Sequence, residues 1–356
     1  MPPIPPEDAV HVLDASEAGE LHQIQRGATI RSASAGAVSA LVAAGGIWLA
    51  ETYAPVGDTA TTGEQISHYS IALGITAIAA IFEVAFLYWD ALRSAVLMAR
   101  AAGLSILDPE QDSTRRSLAR AALELENPAR PFRGIDPLRE ASKWRLLVYS
   151  LLYKGKIAAT SFLLKALIRR ALGRVAVRGA LLELIAVPVT AIWNGVVTWL
   201  VMRETRLRII GPSAAAAITS ELFESHAPNS PQREAAFRAI GSAIVRSGDL
   251  HPNLVALLDE VVKQGDVVDL ENVGDTEAFI ASYRTSSPDD QRWILTVTTL
   301  AAVIDGKLND AERKLLKAMR AESKHPASLR QVDILGRRLR RGERITVEDL
   351  VSSSIG

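Results

Sequence analysis

Cysteine is absent from this 356-residue sequence, and so is an excess of charge of either sign. Without cysteine, disulfide bonds, thiolate nucleophiles, zinc–thiolate sites and iron–sulfur clusters are excluded, and the composition fits a reducing compartment. The 40 Lys and Arg residues balance the 40 Asp and Glu residues. Whole-chain charge therefore gives no reason to expect a nucleic-acid partner.

Histidine is scarce as well, and catalytic patterns are missing. The six histidines are dispersed, and no two have the helical spacing of a metal-binding pair. The sequence shows no grouping of a nucleophile, a base and an oxyanion-stabilising group. We therefore predict a protein that is not an enzyme.

What the sequence does contain is long apolar runs. Residues 32–50 and 184–202 are each 19 residues without a charge. Residues 67–89 contain a single charged residue, Glu83. Each run is long enough to cross a hydrocarbon core of about 30 Å as a helix, although a buried helix of a large soluble protein is an alternative. The first run follows an acidic segment, whereas a secretory signal begins with basic residues. We predict that it remains as an anchor.

The distribution of charge predicts the orientation of the first two runs. Residues 51–67 contain no Lys or Arg, whereas residues 90–145 are rich in arginine. Because positive loops stay in the cytoplasm, transmembrane helices at about 32–50 and 67–89 would form a hairpin in the inner membrane. Residues 1–31 would be a cytoplasmic N-terminal segment, and residues 90–145 a basic cytoplasmic loop.

Two features of this hairpin bear on function. Glu83 would be an intramembrane acid, which either faces a partner or wet cavity or lies at an exposed interfacial position near the cytoplasmic end. The first helix carries small residues at four-residue spacing, namely Ser32, Gly36, Ala40 and Ala44. Such a ridge permits close approach of helix backbones, including oligomerisation through membrane helices, although an alanine-rich segment also produces one by chance.

A third stretch, residues 146–182, is both apolar and basic. Its charges do not gather on one helical face. One interpretation is a second transmembrane hairpin, with helices at about 146–168 and 184–202. The other is a hairpin in the cytoplasmic leaflet whose arginines contact anionic headgroups. Both return the C terminus to the cytoplasm, and we favour four crossings. The arginines in question are Arg169, Arg170, Arg174 and Arg178.

Residues 211–356 have the apolar period of helices and contain an internal repeat. Gly248 aligns with Gly306 and Leu250 with Leu308, about 58 residues apart. The glycine of each copy is expected to end one helix with a positive φ, and an Asn or Asp is expected to cap the next helix. The pattern predicts two copies of a helix, turn, helix unit.

The second copy resembles a known family. A helix ending in Asp305-Gly306, a leucine two positions later and Glu312 six positions after the glycine are similar to the repeated hairpin of the tellurite-resistance TerB-like domains. These are all-helical modules often attached to bacterial membrane proteins. The resemblance covers roughly residues 230–339. It implies that Asp305 and Glu312 bind a divalent cation, calcium or magnesium.

The first copy departs from this family pattern. Ser247 and Leu254 occupy the positions of the two acids, so half of the implied acidic set is missing. Asp310 is a further candidate ligand, but hard cations take six or more oxygens, and water would have to supply most of them. The alternative is structural: Asp305 caps the turn, and Glu312 is a solvated acid in the first turn of a helix.

A basic cluster lies near the C terminus. It contains Arg337, Arg338, Arg340 and Arg341. A solvated helix end explains such a cluster, and so does contact with anionic membrane lipid, where each charge gains about 1 kcal/mol.

The prediction as a whole is an all-α protein with two parts. A membrane region of two helical hairpins, residues 32–210, precedes a cytoplasmic TerB-like helical domain, residues 211–356. Both termini would lie in the cytoplasm. We predict a non-enzymatic, bacterial-type membrane protein whose cytoplasmic domain binds a protein partner or senses envelope stress, with membrane lipid as a further partner. The alternatives are a small channel or transporter using Glu83 and the basic third stretch, and a divalent-cation module at Asp305 and Glu312.

Overall fold

The structure, a computed structural model, describes residues 10–56, 61–104, 112–127, 130–140, 179–264, 273–323 and 329–355. Of residues 179–186 it describes the backbone alone. Within these ranges the regular secondary structure is helical, and the one β-type pairing is an isolated bridge between Phe132 and Ile135. This confirms the all-α prediction. The predicted helix at 146–168 and the four arginines between 169 and 178 lie outside the described residues.

The described residues form eleven helices. In chain order they are α1 (Ala15–Tyr53), α2 (Thr62–Ala101), α3 (Asp112–Ala122), α4 (Gly179–His226), α5 (Ser230–Ser247), α6 (Pro252–Lys263), α7 (Thr276–Thr285), α8 (Pro288–Ile304), α9 (Asp310–Glu322), α10 (Arg330–Arg341) and α11 (Val347–Ile355).

Two of these helices, α1 and α2, are long and apolar enough to cross a membrane. They contain the predicted spans 32–50 and 67–89 and extend them at both ends, to 39 and 40 residues. The two helices differ in burial. In the most apolar 18-residue segment of each helix, 39% of the residues are buried in α1 and 6% in α2. Few residues in the apolar segment of α2 are therefore buried by the rest of the described chain.

The run 184–202 lies in α4, which is an unbroken helix of 48 residues. The predicted boundary between the two parts, at residues 210 and 211, lies inside this helix, which continues through Gly211-Pro212 where a break is usual. Packing explains the difference, since the Asn253 side chain lies against Gly211, where any larger side chain would collide with it. The Asn253 amide also donates to the backbone carbonyl of Leu207 at 3.1 Å. These contacts hold the helix together where a proline removes one of its own hydrogen bonds.

The chain divides into two compact units. The C-terminal unit comprises Met1–Leu21, Met98–Ala141 and Arg203–Gly356, and the apolar unit comprises His22–Leu97 and Ser142–Met202. Residues 98–141 therefore belong with the helical domain, although the sequence led us to assign them to the membrane region.

In the apolar unit, the small-residue ridge of α1 is buried as the spacing predicts. Ser32 and Ala40 are each 1% exposed, and Gly36 is also buried. A side-chain carbon at Gly36 would lie 2.6 Å from the Asn194 amide nitrogen and 2.9 Å from the Thr190 carbonyl oxygen of α4. Gly36 thus permits the close approach of α1 and α4.

In the C-terminal unit, the predicted repeat is present. Asn229 and Ser287 cap α5 and α8, and both helices have proline at the start. Gly248 and Gly306 follow these helices with φ of 70° and 68°. Asn309 caps α9 as expected, but the cap of α6 is His251 rather than an Asn or Asp. That part of the prediction was wrong, because the imidazole Nδ1 of His251 accepts the hydrogen bond that an Asx side chain usually accepts.

The segment 130–140 packs onto the C-terminal bundle. Ile135 is fully buried in its core. Ion pairs surround this side chain, namely Arg133 with Asp259 at 3.0 Å, Arg139 with Asp275 at 3.2 Å and Glu140 with Arg246 at 3.3 Å. Two arginines of the predicted basic loop, Arg133 and Arg139, are therefore paired with acids of the bundle.

Candidate functional site

The turn between α8 and α9 holds two buried acids. Asp305 is 6% exposed and Glu312 is 1% exposed. The Asp305 carboxylate accepts a hydrogen bond from the Lys307 backbone N–H at 2.9 Å, which fixes the tight turn at Gly306. Glu312 and Asn309 form a capping box, in which the Glu312 Oε2 accepts from the Asn309 backbone N–H at 2.9 Å. The α8–α9 turn therefore directs both carboxyl groups inward.

Glu312 keeps one oxygen without a partner. Its Oε1 is buried and accepts no hydrogen bond from any residue that the structure describes. Burial, and next the negative charge of Asp305, raise the pKa of Glu312 to about 9. Burial also raises the pKa of Asp305 to about 6, although the nearby His251 and Lys307 oppose this shift. The charge of Asp305 thus disfavours ionisation of Glu312, and a bound cation would relieve this repulsion.

Glu204 of α4 lies in the same region and is contacted by three basic side chains. Its Oε1 receives hydrogen bonds from Arg208 Nε at 3.0 Å and from His251 Nε2 at 2.9 Å. Its Oε2 lies 3.3 Å from the Lys307 ammonium nitrogen. Burial alone would raise the pKa of Glu204, but the hydrogen bond from His251 and the charges of Lys307 and Arg208 lower it well below its usual range. Glu204 is therefore an ionised anchor.

Two residues of the first repeat complete this cluster. His251 uses Nδ1 to accept from the Asn253 backbone N–H at 3.2 Å, which leaves Nε2–H to donate to Glu204. Asn253 is fully buried, and its amide donates to the carbonyls of Leu207 at 3.1 Å and Ile304 at 2.9 Å. The turn of the first repeat thus joins α4 to the end of α8 through polar contacts. The turn of the second repeat differs, because it carries the two buried acids.

The other candidate ligands do not join the two acids. Asp310 is exposed in the first turn of α9. Asp249, from the first repeat, is exposed and accepts hydrogen bonds from the Asn127 amide at 2.9 Å. Within the described ranges, no group of three or more His, Asp or Glu side chains is placed to hold a metal ion. Asp305 and Glu312 therefore offer two carboxylates, and water would have to supply most of a hard-cation shell.

In the apolar unit, Glu83 is half-buried rather than fully exposed. Its Oε1 accepts a hydrogen bond from the Asn194 amide at 2.6 Å. Arg31 forms an ion pair with the fully buried Asp90 at 2.8 Å and also donates to the Ser94 hydroxyl at 3.2 Å. A groove of 630 Å³ runs between α1 and α2 beside these groups, and most of its lining is apolar.

The C-terminal arginines differ from one another. Arg337 and Arg341 are exposed, whereas Arg338 forms ion pairs with Asp349 at 3.1 Å and Glu343 at 3.5 Å. Arg340 is half-buried and donates to the Gly306 carbonyl at 2.8 Å. The sequence cluster therefore contains two accessible guanidinium groups, one paired with acids and one bound to a turn.

Sequence reasoning missed Glu204, His251 and Lys307 as neighbours of the acid pair, and Asn194 as the partner of Glu83. No local motif connects Glu204 to a turn about 100 residues later. One signal was available, since His251 aligns with the helix cap Asn309 in the repeat. Asn194 also interrupts an otherwise apolar run, and such a residue usually faces another helix.

Comparisons with protein-family models, with curated proteins and with solved structures each return no match for this chain.

Proposed function

We propose that this chain is a non-enzymatic, bacterial-type integral membrane protein whose TerB-like C-terminal domain binds a protein partner or senses envelope stress at the cytoplasmic face of the inner membrane. The placement of the domain follows the charge asymmetry of the sequence, and its family follows the turn residues. The membrane location has to be tested first, because it determines the compartment in which the domain binds a partner.

The observation that carries this proposal is the open apolar surface of α2. Tyr69 and Trp89 are 58% and 57% exposed near opposite ends of its apolar segment. They are separated by 20 residues, which in a helix is about 30 Å, the thickness of a hydrocarbon core. Large apolar side chains such as Leu73, Ile81 and Phe82 are exposed between them. Aromatic side chains at both interfaces with an apolar band between them are typical of a membrane-spanning helix.

Fractionation of cells tests the membrane location. We expect the full-length protein to sediment with membranes and to remain there after an alkaline carbonate wash. Ile78→Lys with Phe82→Lys should release the protein, because each central lysine costs about 2.5–3.5 kcal/mol of insertion. The matched control is Ala281→Lys with Ser282→Lys on exposed positions of α7. Release of the unaltered protein by carbonate would contradict the proposal.

A second candidate function is divalent-cation binding at Asp305 and Glu312. The observation that favours it is the buried, unpartnered Oε1 of Glu312 beside a second acid that raises its pKa. Two carboxylates in one buried turn fit a hard cation such as calcium or magnesium, with water completing the shell. Binding would then link the cytoplasmic domain to cation concentration.

Thermal unfolding of the full-length protein in detergent tests this candidate. We expect millimolar calcium to raise the Tm, because a ligand that binds the folded state stabilises it. Asp305→Asn and Glu312→Gln should each abolish the increase, whereas Asp310→Asn should retain it, since Asp310 is exposed outside the pair. An equal calcium-dependent increase in all three variants would contradict a site at these acids.

The channel alternative has less support. It assigns Glu83 to an ion path, but the Glu83 carboxylate is hydrogen-bonded to Asn194. Of the residues that line the nearby groove, most are apolar. The Glu83–Asn194 contact supports a role in holding α2 against α4 within the apolar unit.

A further inference from the structure

Arginine side chains from two distant segments converge on one face of the C-terminal unit. Arg203 and Arg206 belong to α4, and Arg337, Arg340 and Arg341 belong to α10. The Arg206 guanidinium donates a hydrogen bond to the backbone carbonyl of Arg341, which joins the two helices. Burial lowers the pKa of Arg340 most, and the charges of Arg203, Arg337 and Arg341 lower it further. Arg340 therefore lies close to these three arginines. These five residues are called the arginine patch below.

Two acids near the α10 arginines of the patch are shared with arginines outside it. Asp333 uses both carboxylate oxygens to accept from Arg313, at 2.6 and 3.1 Å. Glu343 lies 3.5 Å from Arg341 but also 3.5 Å from Arg338, which is outside the patch. Arg337 makes no hydrogen bond or ion pair with any described residue. Arg337 and Arg341 therefore present positive charge to solvent.

We propose that the arginine patch binds the phosphate headgroups of anionic phospholipids, an inference that rests on the proposed membrane function. A guanidinium group makes paired, charge-assisted hydrogen bonds to phosphate oxygens. Arg203 is the first residue after the apolar run 184–202 and lies in the same helix. A run that spans the membrane would end with Arg203 at the headgroups of the cytoplasmic surface, where anionic lipids attract basic side chains.

Neighbouring arginines of the sequence cluster have different roles in this proposal. Arg338 stands between Arg337 and Arg340 in the sequence, yet its guanidinium is bound by Glu343 and Asp349. We therefore assign it to the structure of the α10–α11 turn. Arg203 and Arg206, which lie more than 130 residues earlier, belong to the lipid-binding group.

The test uses the full-length protein in nanodiscs of phosphatidylcholine with a minor fraction of phosphatidylglycerol. Native mass spectrometry then counts the lipids that remain bound after release. We expect the unaltered protein to retain phosphatidylglycerol preferentially. Arg337→Gln with Arg341→Gln should reduce that preference at least about tenfold, since each basic residue near an anionic surface contributes about 1 kcal/mol.

The matched control is Arg292→Gln, which removes one exposed arginine of α8. Arg292 lies near the start of α8, whereas the arginine patch contacts Gly306 just beyond its end, about 20 Å away along the helix. This variant should retain phosphatidylglycerol as the unaltered protein does. A Tm close to that of the unaltered protein should accompany each variant, because none of the three side chains is buried.

The outcomes are distinct. An unchanged phosphatidylglycerol preference in the double variant would overturn the inference. So would displacement of the lipid by inorganic phosphate at millimolar concentration, because the patch would then be a site for free phosphate. Failure of the protein to enter even pure phosphatidylcholine nanodiscs would instead overturn the proposed membrane function, on which the inference rests.

Discussion

At the scale of single residues, the acid pair of the α8–α9 turn makes its own contribution to the pH dependence of stability. Burial raises the pKa of both Asp305 and Glu312, so each acid holds its proton more tightly in the folded protein than in the unfolded chain. The folded state then binds more protons, and its stability falls as the pH rises. For Asp305 the loss extends from about pH 4 to about pH 6, and for Glu312 it extends from about pH 4.5 to about pH 9.

Between pH 6.5 and pH 8.5, Glu312 is the member of this pair that still titrates. In the presence of a chelator, we expect the unfolding free energy to fall by about 2 kcal/mol across this range. Glu312→Gln removes the titrating group but keeps an oxygen that can accept the Asn309 N–H, so its stability should change much less. Thermal unfolding at the two pH values measures this. Parallel decreases in both proteins would contradict a buried, protonated Glu312.

How far could the sequence predict this site? Asp305 and Glu312 were identified from the turn pattern, and Asn309 was predicted as a helix cap. Their burial was not predicted, because a charged residue in the first turn of a helix is usually solvated. Glu204 could not be found at all, since its proximity depends on how α4 packs against the repeat, and that is set by tertiary contacts such as Asn253.

At the scale of elements, apolar period and glycine position predicted the helices well. The small-residue ridge of α1 is a clear case, because its spacing predicted a close helix contact without identifying the partner. That partner in the apolar unit is α4, whose Thr190 hydroxyl donates to the Gly36 carbonyl at 3.2 Å. The alanine and glycine of an apolar helix thus mark a contact surface.

Gly36 and Gly45 provide a matched pair for testing that contact. A side-chain carbon at Gly36 would be 2.6 Å from Asn194, whereas one at Gly45 would have no atom within 4 Å. We expect Gly36→Ala to lower the Tm of the full-length protein by several degrees. Gly45→Ala should leave it unchanged or raise it slightly, because alanine favours a helix by about 1 kcal/mol over glycine. A similar Tm for the two variants would contradict the packing of α1 on α4.

Other elements escaped prediction for a physical reason. The segment 130–140 contains two prolines, one glycine and three arginines, a composition typical of a loop. Ile135 of this segment is nevertheless buried in the core of the bundle, and Phe132 packs against the same core. Local composition shows that such a segment lacks a helix but does not show what it packs against. The uninterrupted α4 is similar, since packing outweighs the proline signal.

At the scale of the whole molecule, the helices of the apolar unit have defined directions. The pairs Arg31–Asp90 and Ala54–His68 show that α1 and α2 are antiparallel. Hydrogen bonds between Gln25 and Trp199 and between Gly36 and Thr190 show that α1 and α4 are antiparallel too. Helices α2 and α4 are therefore parallel.

This direction bears on the choice between two and four crossings. If α1 and α2 span the membrane, α4 runs beside them in the direction of α2. Gly179 lies 11 residues before Thr190, which is about 16 Å further along the helix. It is therefore level with the end of α1 that carries Trp48. This direction of α4 favours the prediction of four crossings over that of two.

Cysteine accessibility measures this directly, because the chain has no native cysteine. Single cysteines at Thr61, Gly179 and Ser352 are exposed to a membrane-impermeant maleimide in intact cells. We expect Thr61→Cys and Gly179→Cys to react and Ser352→Cys to react only after the membrane is opened. Reaction at Thr61 alone would mean that α4 does not reach the outer surface. The parallel arrangement of α2 and α4 would then belong to a hairpin within the cytoplasmic leaflet, and the chain would cross the membrane twice.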